Sequence, residues 1–403
     1  MDTADTRNTS LYSPEFIILS VIVFLAFCNI SLFYGFNAYL EAIDIPPMWR
    51  GFLLGLEAGT ALLVRPVISP LLTVNNGVRT LAMGLLVVMM ALLGYSHAQG
   101  LWALSLVRIT HGLGFVLLIS AGITLLVEYI PAHRSGEGFG VFAVASLLPY
   151  AVIPPMVEYM LPSTGNESVI YGRFTLLFLP ALLLLIPLRR SVNRLQASLP
   201  TRHGQRPTLA EIRTDLRSPG VARLLVVNLA LFAATTVVFF YMKDRLLALG
   251  AGNPGLFFTI ATVMTILVRL ACGKLLDKVN RAKMLTLFLG VLALTLCLFG
   301  LVDWSAAILA LAAVYGVCLG FIVPQVNASM FVISPPHLRG LNTNLLLSAM
   351  DGGYCLGPLL AGLLQAQGMG LSAMITLCAA GPVLAGALTW SLITRMSDPD
   401  TRS

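Results

Sequence analysis

Leu63-Val64-Arg65-Pro66, continued by Leu71-Leu72-Thr73-Val74-Asn75-Asn76 and Arg79, returns 204 positions later. The second copy reads Leu267-Val268-Arg269-Leu270, then Leu275-Leu276-Asp277-Lys278-Val279-Asn280 and Lys283, with no gap between the parts. Each copy places an arginine in apolar sequence and a basic residue 14 positions after it. Three further matches keep nearly the same offset. Leu113-Gly114-Phe115 pairs with Leu319-Gly320-Phe321, and Pro131-Ala132-His133 with Pro335-Pro336-His337. Asn37-Ala38-Tyr39-Leu40 takes the place of Lys243-Asp244-Arg245-Leu246. Four matches in order at offsets of 204 to 206 mark a duplication of about half the chain. Charges inside duplicated apolar sequence point to a membrane protein that moves something.

Composition supports that class. The 403 residues are 57% hydrophobic and 11% charged, with a mean hydropathy of +0.87. Soluble domains carry about 25% charged residues, so this chain lacks the polar surface to face water on all sides. A helix needs ~20 mostly apolar residues to cross a bilayer with its backbone bonded internally. Twelve stretches meet that requirement, at about 16–40, 50–73, 80–98, 101–127, 137–161, 170–188, 221–245, 254–275, 283–302, 304–331, 340–366 and 371–394. The expected fold is an all-α membrane protein of twelve transmembrane helices in two pseudo-symmetric six-helix halves. The halves are 1–188 and 220–403, joined by a basic linker at 189–219 in which Thr208 to Arg217 has the spacing of a short surface helix.

The net charge of +7 is sorted by side. With both termini cytoplasmic, that side holds Arg7, Arg79, Arg134, seven arginines from Arg189 to Arg217, Lys274, Lys278, Arg281, Lys283, Arg339, Arg395 and Arg402. The other side holds Arg50, Arg173, Lys243 and Arg245, all near helix ends. This is the positive-inside pattern, which sets the orientation; the expected location is a bacterial inner (plasma) membrane. Nucleic acid is not an expected partner, because no basic cluster is interleaved with aromatics. Residues 1–13 have no charged leader preceding a cleavage site, so the first span reads as a retained helix. All six cysteines lie within the apolar stretches without metal-ligand spacing. No phosphate loop, metal cluster or nucleophile elbow occurs, so neither an enzyme nor a cofactor is expected.

Three motifs resemble the Major Facilitator Superfamily. Gly273-Lys274-Leu275-Leu276-Asp277-Lys278-Val279-Asn280-Arg281 is similar to that superfamily's G-x-x-x-D-(R/K)-x-x-R loop. Arg108-Ile109-Thr110-His111-Gly112-Leu113-Gly114 is similar to its R-x-x-x-G-x-G pattern. The turn Pro131-Ala132-His133-Arg134-Ser135-Gly136-Glu137-Gly138 has the same look. The overall set resembles the drug and sugar efflux branch, whose proton antiporters include arabinose-efflux-permease-like proteins. The resemblance implies a loop lock on the cytoplasmic side built by Gly273, Asp277, Lys278 and Arg281. In the first half Ser69 and Thr73 replace the Gly and Asp, which implies a one-sided lock. The exporter pattern G-x-x-x-G-P is missing from the fifth span, where Pro149, Pro154 and Pro155 stand. It occurs in the eleventh as Gly353-Tyr354-Cys355-Leu356-Gly357-Pro358.

Ionisable groups at membrane depth are costly unless paired or wetted, so each is a functional candidate. Glu57 and Asp351 are the two carboxylates well inside spans, and they are the coupling candidates together with His111. A lone histidine one turn from an arginine is more often a satisfied packing residue, which is the other reading of His111. Arg108 shares a helix face with His111 and reads as a cavity ligand or a buried anchor. Arg65 and Arg269, nearer the cytoplasmic ends, read as gate or interhelix anchors. The resemblance implies that spans 1, 4, 7 and 10 line the cavity. Asn29, Tyr34, Asn37, Asn228, Tyr241, Tyr315, Gln325 and Asn327 are the polar candidates there. The expected function is secondary transport of a small organic solute by alternating access, driven by protons in an export mode. Symport of a small organic anion is the alternative. The expected partners are that solute, protons and the lipid bilayer, with the chain acting as a monomer.

Overall fold

The computed structural model describes residues 11–130, 134–198, 215–276, 281–335 and 338–396. The helices are α1 (Pro14–Ser31), α2 (Phe36–Ala42), α3 (Pro47–Ile68), α4 (Val74–Tyr95), α5 (Gly100–Glu128), α6 (Ser135–Thr164), α7 (Glu167–Phe174) and α8 (Leu179–Ser198). They continue with α9 (Pro219–Ala248), α10 (Leu256–Leu276), α11 (Arg281–Leu301), α12 (Ser305–Ile333), α13 (Arg339–Ala366), α14 (Leu371–Leu377) and α15 (Ala380–Met396). Among the described residues, 11 helical stretches are long and apolar enough to cross a membrane. α1 and α2 form one of them, Pro14–Ala42, joined through a 3₁₀ turn at Leu32–Gly35. The stretch expected at 254–275 is present as α10, in which Leu256–Ala271 forms a shorter apolar helical segment.

Local chemistry sets several ends. Ser13 accepts a hydrogen bond from the Phe16 amide at the start of α1, and Pro14 occupies the first turn, where its missing N–H costs nothing. Thr73 starts α4 with a reciprocal cap. Its hydroxyl accepts from the Asn76 amide at 3.4 Å while Asn76 Oδ1 accepts from the Thr73 amide at 2.8 Å. Four prolines, Pro149, Pro154, Pro155 and Pro162, lie within α6 without ending it.

The helices fall into two compact units, one of Met1–Phe33 with Leu63–Arg202, the other of Tyr34–Leu62 with His203–Ser403. The first boundary falls inside the 3₁₀ turn of span 1. In the first unit α1 packs on α5, α6 and α8, and α4 on α5, α7 and α8. α4 and α5 approach to backbone contact: a Cβ on Gly84 would stand 2.6 Å from Leu118 N, and one on Gly114 2.8 Å from Val88 N. In the second unit α9 packs on α13 and α15, α10 on α12, and α11 on α12, α14 and α15. Small residues at such crossings allow helices to pack without a hydrophobic drive, as a lipid solvent requires.

The outward faces are apolar. Leu63, Leu106, Leu183 and Leu270 expose about two thirds or more of their surface. Trp102 in the first turn of α5 and Trp304 at the cap of α12 are also exposed. Bare leucines with tryptophans at helix ends are the pattern of a surface solvated by hydrocarbon and bounded by headgroups.

Candidate coupling and substrate site

In the first unit the residues singled out in spans 1 and 4 form one buried network. Asn29, Tyr95, Arg108 and His111 each have 0% exposure. Asn29 Nδ2 lies 2.7 Å from His111 Nε2, and Tyr95 Oη lies 3.1 Å from His111 Nδ1. Arg108 Nη1 donates to Tyr95 Oη at 3.4 Å, and its guanidinium stands 5.4 Å from the centre of the Phe33 ring. Phe33 also stacks on Tyr171 at 4.5 Å and sits 5.0 Å from the imidazole. Both imidazole nitrogens are therefore engaged by neutral groups, and Tyr95 links the ring to the Arg108 cation. The imidazole is thus hydrogen-bonded at both ring nitrogens, and the Arg108 guanidinium lies over an aromatic face. In this conformation Arg108 presents no surface to solvent. Tyr95 and Phe33 carry no signal in the sequence. Both come from other elements of the chain, and only the fold brings them to Arg108.

The second unit gathers the rest. Asn37, 1% exposed, donates to Asp244 Oδ2 at 2.6 Å. Tyr34 is fully buried, edge-on to Phe258 at 5.4 Å, with the Lys243 ammonium 5.5 Å from its ring centre. Asn228 donates to the Leu346 carbonyl at 2.8 Å and so ties α9 to α13. Tyr241 is buried. Tyr315 packs against Phe257 and Phe299, and Gln325 is buried on the same helix. Asn327 is exposed and bonds its own helix at the Val323 carbonyl.

Asp351 is 4% exposed near the middle of α13, and Glu57 is half-buried near the middle of α3. Their helices touch in the second unit. A Cβ on Gly55 would meet the Cys355 carbonyl at 2.5 Å, and Leu62 lies beside Gly352. Arg65 is buried at 4% exposure and Arg269 is half-buried. Of the loop lock, Gly273 and Arg281 are helical, while Asp277 and Lys278 lie outside the described residues. The first-half counterpart of Asp277, Thr73, caps α4 instead.

Lys243-Asp244-Arg245 lies near the end of α9, which runs on to Ala248. Lys243 and Arg245 are 2% and 6% exposed. Arg245 Nη2 donates to the carbonyls of Gly300 at 3.2 Å and Val302 at 2.8 Å, and to Asp303 Oδ1 at 2.8 Å. It thereby closes the C-terminal end of α11. The signal that could have found this is length, since α9 has 30 residues where a crossing needs ~20.

The family model described as Major Facilitator Superfamily matches residues 19–358 and 245–403. Multidrug resistance protein MdtG of Salmonella choleraesuis (strain SC-B67) is 25% identical over 332 residues, covering 78% of this chain and 77% of that protein. The MdtG of Enterobacter lignolyticus (strain SCF1) is 26% identical over 303 residues, covering 71% and 68%. Among solved structures, nucleoside transporter NupG aligns with a TM-score of 0.75 at 13% identity, covering 95% of this chain and 99% of that one. A POT family transporter in complex with thioalcohol conjugated peptide aligns at 0.75 and 12% identity, covering 94% and 96%. The apolar helices, the repeated halves and the matched family model agree: this chain is an integral membrane transporter and belongs to the Major Facilitator Superfamily.

Proposed function

We propose that this transporter exports a small organic solute in exchange for protons. The chain would be built of two six-helix halves, 1–188 and 220–403, linked by 189–219, with spans 1, 4, 7 and 10 lining the solute cavity. Both termini and the linker face the cytoplasm, α10 is the eighth of twelve crossings, and a monomer in the inner membrane is the working unit. The carrying observation is Asp351. It is a buried carboxylate at mid-helix, on a helix that contacts the one bearing Glu57. A carboxylate in that setting changes protonation when its surroundings alternate between dry and wet, which is the requirement for coupling. Export is supported by the MdtG relatives, which are named multidrug resistance proteins.

In this reading Glu57 and Asp351 carry the proton. Tyr34, Asn37, Asn228, Tyr241, Tyr315, Gln325 and Asn327 supply the polar wall of the cavity as it opens. Asn29, Arg108 and His111 hold α5 against span 1, and Arg108 meets solute only if that network parts. Arg65, Arg269 and the loop lock steady the cytoplasmic ends. Symport of an organic anion is the second reading, favoured by the buried cations Arg108 and Lys243.

Purified transporter in liposomes with an internal pH dye separates the two. On adding cationic or neutral amphipathic solutes, antiport moves protons opposite to the solute, whereas symport moves both together with anions. Asp351→Asn and Glu57→Gln should abolish proton movement. Wild-type proton-linked transport in both variants rejects the coupling assignment.

A further inference from the structure

Arg173 stands apart from the other cations near the outer ends of the helices. In the orientation proposed above, Arg50, Arg173, Lys243 and Arg245 are the basic residues on that side. Arg50 pairs with Glu41 at 2.8 Å, and Arg245 closes the end of α11. Lys243 is buried, with its ammonium 5.5 Å from the centre of the Tyr34 ring. Arg173 is exposed, and among the described residues its side chain has no hydrogen-bond or ion-pair partner.

Local packing sets its direction. Gly172, the residue before it, fits against the end of α4, where a Cβ would collide with the Ser96 hydroxyl. Tyr171 and Phe174 are buried, which leaves Arg173 on the outward side of α7. It follows Glu167 by six residues, so its Cα lies about 9 Å below the start of the helix. A charge at that depth is costly unless it meets water or an anion, and its long stem lets the head reach toward the interface.

Beside it lies an apolar groove of about 580 Å³ in the first unit. Val21 and Leu25 of α1 and Met156 and Met160 of α6 line it, with Leu177 of the 3₁₀ turn at Thr175–Phe178 and Pro180 of α8. Among the described residues Arg173 is the only charged one in that lining. Val21 and Leu25 follow Pro14 by seven and eleven residues, ~10 and ~16 Å along α1. The hydrocarbon core is ~30 Å thick, so the groove runs from near the outer interface to the middle of the bilayer. That is the depth of one leaflet. An apolar groove holds no ordered water, and methionine walls adapt to a flexible chain.

We propose that this groove binds an anionic phospholipid of the outer leaflet, with one acyl chain between α1, α6 and α8 and the phosphate on Arg173. No carboxylate lines the groove, so a head group carrying an ammonium would set a second cation beside the guanidinium. The choice of leaflet rests on the orientation proposed above.

The test uses the full chain in phosphatidylcholine liposomes with a trace of phosphatidylglycerol carrying a photoreactive diazirine in its acyl chain. After illumination, labelled peptides are identified by mass spectrometry. Label is expected in 156–160 and 173–180. Unlabelled phosphatidylglycerol should compete at about one tenth the concentration that phosphatidylethanolamine needs. Arg173→Gln should abolish that preference, and Arg173→Lys should keep it. Met156→Trp, which fills the groove, should lower labelling whatever the head group. Size exclusion profiles matching the parent show that the variants compared are folded. Label spread evenly over the lipid-facing helices overturns the groove. Equal competition by the two lipids, or a preference unchanged in Arg173→Gln, overturns the charge contact. The orientation is read separately, from protease removal of a C-terminal tag on intact cells. A tag cut from outside overturns the leaflet assignment together with that orientation, whereas equal competition with the tag protected overturns the lipid site alone.

Discussion

Replacing Arg245 by Met removes the guanidinium that closes α11 while keeping an apolar stem of similar length. The last carbonyls of a helix have no partner within it. Here Gly300 and Val302 are served by Arg245 Nη2 at 3.2 and 2.8 Å, and Phe299 by Nε at 3.4 Å. A hydrogen bond to a charged group contributes about 1.5–3 kcal/mol. The contact to Phe299 is the longest and adds little, so the two shorter carbonyl bonds are worth about 3–6 kcal/mol before relaxation. Asp303 is 82% exposed, so its ion pair with Arg245 contributes at most about 1 kcal/mol. Water at the helix end recovers part of the lost bonding, and the expected net cost of Arg245→Met is about 2–4 kcal/mol. Asp303→Asn should cost under about 1 kcal/mol. Reversible unfolding in mixed micelles, followed by circular dichroism, measures both. If Asp303→Asn costs as much as Arg245→Met, the surface ion pair carries the effect and the helix-closing account is wrong. A cost under about 1 kcal/mol for Arg245→Met refutes it as well.

In the network of the first unit, Tyr95→Phe strips the hydroxyl shared by His111 and Arg108 and should destabilise by about 1–3 kcal/mol. Asn29→Ala should cost a similar amount, and the double variant less than the sum, because both act on His111. Additive costs in the same unfolding assay would show that the groups act independently. Gly353→Leu should force α9 and α13 apart, since a Cβ there already stands 2.6 Å from the Leu229 carbonyl and 2.8 Å from Ala233 N. Loss of monodisperse protein on size exclusion is the expected result, and a stable variant would contradict the close crossing. At the start of α6, hydrogen bonds from Arg134 at 2.7 and 2.8 Å hold the Glu137 carboxyl below its usual 4.5. A depressed folded-state value means the pair's contribution is complete above pH 4.5 and fades as pH falls through the lower value. A carbon-13 titration of labelled glutamate, assigned with Glu137→Gln, should give a midpoint below 4.5. A midpoint at or above it rejects the pairing.

How much was legible beforehand differs by residue. Arg65 and Arg269 marked the duplication because copied sequence keeps its spacing whatever the fold. The apolar stretches were legible because length and hydropathy are local properties set by bilayer thickness. Asp351 stood out because a carboxylate in such a stretch is rare. Tyr95 did not, since a tyrosine at the end of an apolar helix is ordinary until Arg108 and His111 are found against it. Thr73 looked like the erosion of a loop acid, and the structure gives it a job of its own as the cap of α4.

The sequence alone marked this chain as a membrane protein, because composition and the length of apolar runs are local properties, and its motifs already resembled those of a transporter superfamily. Only the tertiary structure decided what each buried charge touches. It set Arg108 on Phe33 and Tyr95, Asp244 on Asn37, and Arg245 on the end of α11. Those partners come from positions 13 to 207 residues away. A charge in a low-dielectric interior is defined by its nearest partner, and that partner is chosen by packing.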